Sequence, residues 1–178
     1  MEDFIRDYAM CAALLGMFGF AWFGWAQQDP PKGKKWPILL GVGSGLSFLI
    51  ATAGGLIAWK NWGGPSALKA DGAFENYMMI FIVEFALIAL ATAVTFAIRK
   101  QKYIASIVSL IVGLHFIPLA PVFNDNAFYL LTLLVVSASI IPLFISKKVD
   151  VSVVTLTGFG VGISLFIFAL RGLIMAIS

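Results

Sequence analysis

With 178 residues, 61% hydrophobic side chains and only 12% charged ones, the chain is far more apolar than a soluble globular domain, and its formal charge is +3. Six spans of roughly 22 residues would occupy about 132 positions, because each crossing of the hydrocarbon core needs about 20 apolar residues. The remainder is too short for a folded aqueous lobe, which excludes nucleotide hydrolysis, DNA reading and other chemistry that depends on one. Cys11 is the only cysteine and His115 the only histidine, so an intramolecular disulfide is excluded and a protein-only zinc site, which takes several such ligands, is not expected. No metal, cofactor or nucleic-acid partner is expected.

The pattern predicts an all-α polytopic membrane protein, a bundle of six transmembrane helices with short loops in a single domain over 1–178. The N-terminal stretch Met1 to Asp7 carries three acids against Arg6, where a secretory signal would begin with a positive region, so the first segment, 4–26, is expected to be retained. It stops at Asp29-Pro30-Pro31-Lys32-Gly33-Lys34-Lys35, where prolines and lysines end both helix and membrane. Segment two, 37–59, opens on Pro37, whose missing N–H costs nothing in a first helical turn. Gly41 and Gly45 have small-xxx-small spacing, which predicts close helix packing and a central place for this segment.

The connection after Lys60 carries the turn signals Gly63-Gly64-Pro65 and Ala70-Asp71-Gly72 and is long enough to cap one mouth of the bundle. Segment three, 77–98, ends at Arg99-Lys100-Gln101-Lys102. Segment four, 103–123, turns through Asn124-Asp125-Asn126 into segment five, 128–145, and Lys147-Lys148 separates that from segment six, 153–177. Loops this short predict antiparallel neighbours.

Charge sets the expected orientation. Lys32, Lys34, Lys35, Arg99, Lys100, Lys102, Lys147 and Lys148 lie on one side, against Arg6, Lys60 and Lys69 on the other. By the positive-inside rule, loops 27–36, 99–102 and 146–150 are cytoplasmic and both termini extracytoplasmic, in a cell membrane. Trp22, Trp25 and Trp36 fall near one boundary and Trp59 and Trp62 near the other, as interfacial anchors would.

Ionisable groups within a bilayer are costly unless paired or hydrated, which singles out Glu84, His115 and Arg171. At 1.5 Å per residue all three backbones reach a similar depth, roughly 9 to 12 Å below the outer helix ends. Tyr77, Glu84, Ala91 and Thr95 share one helix face, and Thr157, Gly160, Ser164 and Arg171 another, so both charges are expected to point inward. His115 faces away from Ser106, Ser109 and Gly113 on its own helix. The first expectation is an outer-half polar site that binds or translocates a small polar or anionic solute, proton-linked through Glu84 or His115, as in a transporter; the alternative is a non-transporting structural or accessory subunit in which a buried Glu84–Arg171 pair fixes helix register. Asp7, at the outer entrance of segment one, could join either. Pro118, Pro121 and Pro142 lie inside spans, where each frees a carbonyl one turn earlier and predicts a kink or a helix break.

The run Gly113-Leu114-His115-Phe116-Ile117-Pro118-Leu119-Ala120 resembles a segment of small bacterial multi-pass membrane proteins with no established activity. The resemblance implies a membrane location and bacterial origin. The six-span vitamin-binding subunits of energy-coupling transporters have similar length but cytoplasmic termini, opposite to the charge count here. Gly43-Ser44-Gly45 superficially matches a rhomboid serine motif, yet His115, the only available imidazole, is expected near the opposite boundary, so Ser44 lacks a base. A non-enzymatic protein is expected. Its partners would be the bilayer, a small polar or anionic solute, and another membrane protein or a second copy of the chain.

Overall fold

A computed structural model describes residues 4–178; Glu2 and Asp3, which contribute to the acidic N-terminal stretch, lie outside the described residues. Six long helices account for most of the chain: α1 (Ile5–Trp25), α2 (Lys35–Lys60), α3 (Ala73–Ala97), α4 (Ile104–Phe123), α5 (Ala127–Val149) and α6 (Val153–Ile177). All six are long and apolar enough to cross a membrane. No strand occurs among the described residues.

Two helices outrun their apolar segments. α3 begins at Ala73 rather than 77, after Gly72 in a left-handed conformation (φ 73°), and Glu75 in its first turn complements the positive end of the helix dipole. α5 continues past 145 to Val149 because Lys147 and Lys148 suit a C-terminal turn, where cations face unpaired carbonyls. The helix stops at Asp150, also left-handed, with φ 52°. Ser152 then caps α6, its hydroxyl accepting from the Thr155 N–H at 3.1 Å.

Segment two is not central. α1 and α6 form the middle of the bundle: α1 packs along both α2 and α6, while α6 also touches α2, α4 and α5. α3 packs chiefly on α4 and buries only Glu84 and Thr95. Close backbone approach explains the centre. A Cβ on Gly54 of α2 would lie 2.7 Å from both the Ala9 carbonyl oxygen and the Ala13 nitrogen, and one on Gly172 of α6 would lie 2.8 Å from the Tyr8 carbonyl oxygen. Gly41 and Gly45, by contrast, face open space, so the small-residue spacing read from α2 is not its packing face.

The same contacts set direction. Gly172 meets Tyr8 and Ala12 while Gly158 meets Trp22 and Ala26, so α1 and α6 run antiparallel. Both described ends of the chain therefore lie at one end of the bundle, with residues 61–72 and the 124–126 turn; the lysine-rich loops lie at the other. These are called the terminal end and the basic end below. Trp22 is buried and stacks on Trp25 with ring centroids 5.0 Å apart, so it belongs to the core rather than to a boundary belt. Trp59 and Trp62 are exposed at the terminal end.

These packing distances predict opposite outcomes for one chemical change. Gly41→Ala, in open space, should be neutral or raise stability by up to about 1 kcal/mol through helix propensity. Gly54→Ala should lower it by about 1–3 kcal/mol through overpacking. Thermal unfolding of both variants in detergent checks the ordering.

Candidate functional site

The three intramembrane ionisable residues do not meet in one place: Glu84 lies beside His115, and Arg171 pairs with Asp125 outside the spans. The expected Glu84–Arg171 contact does not occur. Glu84, midway along α3, has Oε1 3.2 Å from His115 Nδ1 on α4, with both side chains largely buried. The same Nδ1 also meets the Val112 carbonyl one turn earlier. A carbonyl can only accept, so this geometry places a proton on Nδ1 that is donated to Val112, with the Glu84 carboxyl at ion-pair distance beside the ring.

Arg171 instead reaches the turn between α4 and α5. Its Nη1 donates to Asp125 Oδ2 at 2.7 Å and its Nη2 to Oδ1 at 3.2 Å, a two-pronged contact that suits a planar guanidinium. Asp125 Oδ1 also accepts from the Ala127 N–H at 2.9 Å, placing the carboxylate at the positive start of α5. The Arg171 guanidinium lies 5.8 Å from the centre of the Tyr8 ring, which brings α1 into the cluster. Glu84 and Arg171 share a backbone depth, but their charged groups do not. A long arginine carries its charge toward the end of the bundle, whereas a glutamate stays near its helix.

Asp7 joins neither pair. Its Oδ2 accepts from the Ala67 N–H at 2.7 Å, and its Oδ1 lies 3.5 Å from Arg6 Nε. Arg6 also donates to the Trp62 carbonyl at 3.2 Å and lies over the Trp62 ring. Residues 61–72 are thereby fastened to the start of α1, and the short 3-10 turn Ala67–Lys69 packs on α3 and α4. The expected cap is present at the terminal end.

The two faces of α4 have separate uses. His115 faces α3, while Ser106 lies 3.2 Å from Thr157 on α6 and Gly113 packs against Val135 and Val136 on α5. α4 runs unbroken through Pro118 and Pro121, and α5 through Pro142, so none of the three interrupts a helix.

Asp125 was missed because it lies in a loop, where charge needs no explanation. Its signal was positional: it occupies the shortest turn at the terminal end, within an arginine side chain's reach of the last two turns of α6. A small void lies beside this pair, lined by Cys11, Leu15, Asp125, Phe128, Phe168, Arg171 and Gly172. Among the described residues, no three His, Cys, Asp or Glu side chains cluster as metal ligands would.

A double-mutant cycle tests the partition. Asp125→Asn with Arg171→Gln should show a coupling of about 1–3 kcal/mol in unfolding free energy, reduced from a fully buried pair because Arg171 is 34% exposed. Glu84→Gln with Arg171→Gln should be additive within about 0.5 kcal/mol. No protein-family model, curated protein sequence or solved structure matches the chain.

Proposed function

We propose that the chain is a non-catalytic, non-transporting structural or accessory protein of a bacterial cell membrane, with its basic end cytoplasmic and both termini outside. One observation carries this reading: both charges deep within the spans have a partner inside the chain, Glu84 at ion-pair distance from His115 and Arg171 bound by Asp125. A solute would have to displace a carboxylate already bound through two contacts before it could engage the guanidinium. The excess of lysine and arginine in the three basic-end loops supports the orientation. The position of α3, held mainly by α4 and apolar over most of its surface, supports an accessory role, because such a helix offers a neighbouring membrane protein an accessible face.

The 34% exposure of the Arg171 side chain supports a second reading, in which the void of about 10 Å³ beside it opens and a small polar or anionic solute binds between α1, α6 and the 124–126 turn, exchanging with Asp125. Glu84 and His115 would then supply the proton linkage. Thermal unfolding in detergent against a panel of water-soluble polar and anionic compounds separates the two. A true ligand at about 100 times its Kd would add roughly 2.7 kcal/mol and raise Tm by roughly 5–10 °C. The accessory reading expects no such rise for wild type, and only loss of stability for Glu84→Gln, His115→Ala and Arg171→Ala. A compound that stabilises wild type but not Arg171→Ala would establish the solute-binding reading instead.

A further inference from the structure

At the basic end, residues 29–36, from the α1–α2 loop into the start of α2, and residues 146–153, from the last turn of α5 to the start of α6, line an open hollow of about 1000 Å³. Its walls carry Lys32, Lys34, Lys35 and Lys147 against Asp29 and Asp150, an excess of two positive charges. The α2 and α6 N-termini both open on it, at Lys35 and Val153. The N-cap of α2 is Lys34, whose side chain makes no capping hydrogen bond, so the first amides of that helix are not satisfied by a cap. Several sources of positive potential therefore converge on one concavity.

The hollow is also apolar in part. Trp36, half-buried, and Val149, Val151 and Val153 belong to its lining. Just beyond it along the helices, Ile38 is 63% exposed on α2 and Phe144 is 72% exposed on α5. A ligand suited to these surroundings has an anionic head at the level of the loops and apolar chains that descend along the outer helix faces.

We propose that this hollow is a binding site for the phosphate headgroup of an anionic membrane lipid. The lysines and the α2 N-terminus meet the phosphate, Trp36 and the valines cover the glycerol region, and the acyl chains lie along α2 and α5. Asp29 and Asp150 restrict the site to ligands with enough negative charge to offset their repulsion. A zwitterionic phosphocholine head, whose ammonium cancels its phosphate, gains little from the lysines. This inference is independent of the accessory or solute-binding role, which concerns the terminal end.

The test is native mass spectrometry of the full chain in detergent, titrated with phosphatidylglycerol or phosphatidylcholine. Phosphatidylglycerol should bind about tenfold more tightly than phosphatidylcholine. Replacing Lys32, Lys34, Lys35 and Lys147 by Gln should remove that preference, whereas the same change at Arg99, Lys100 and Lys102, outside the hollow, should preserve it. Asp29→Asn with Asp150→Asn should tighten phosphatidylglycerol binding, an outcome that loss of folding cannot imitate. Equal binding of the two lipids, equal loss in both basic-to-Gln variants, or no gain in the double Asn variant would each overturn the site. Inorganic phosphate at millimolar concentration should not displace the lipid; if it does, the hollow is a free-phosphate site and the lipid assignment is wrong.

Discussion

The two-pronged contact between Arg171 and Asp125 fixes how the terminal end of the bundle is assembled. It joins the last helix to the turn between α4 and α5, and through the Tyr8 ring it draws in the start of α1. In water such a contact would be one among many. Within a bilayer an unpaired guanidinium costs several kcal/mol, so the position of α6 against the 124–126 turn is tightly constrained. The Asp7 contact with Ala67 extends this order to the long connection, and Glu84 with His115 does the same for α3, which has little other polar contact with the bundle.

Close backbone packing supplies the rest. Lipid tails are as apolar as leucine, so helices associate through fit and hydrogen bonds rather than through exclusion of water. Gly16, Gly54, Gly158 and Gly172 allow α1 to lie directly against α2 and α6, and that three-helix core carries the α4–α5 pair on its side. Polar side chains within the bundle mostly bond locally or to a neighbouring helix: Ser44 to the Phe20 carbonyl, Ser139 to the Val135 carbonyl, and Thr155 to the Ala26 carbonyl. Ser47 is the exception among the described residues, with a buried hydroxyl that meets no partner.

Much of this architecture was legible in the residues because it depends on length and polarity. The number of helices, their approximate limits and the capping role of residues 61–72 all follow from where apolar runs stop. What was not legible depends on how helices rotate and where long side chains end. Gly41 and Gly45 carry the same spacing as a true packing motif, and only the rotation of α2 shows that Gly54 is the interface residue. Glu84 and Arg171 share a backbone depth, but the reach of the arginine sends its charge to Asp125 and leaves Glu84 to the nearer imidazole. Periodicity identified the inward faces of α3 and α6; it could not say which neighbour each would meet.

Arg171 is engaged by Asp125 and by no other carboxylate among the described residues. Nitrogen-15 NMR of the guanidinium groups in arginine-labelled protein tests it most directly, because two-pronged binding slows rotation about the guanidinium bonds and separates the Nη signals. The account predicts separated Nη signals for Arg171 in wild type and in Glu84→Gln, collapsing to an average in Asp125→Asn. Averaged signals in wild type, or collapse in Glu84→Gln with retention in Asp125→Asn, would contradict it.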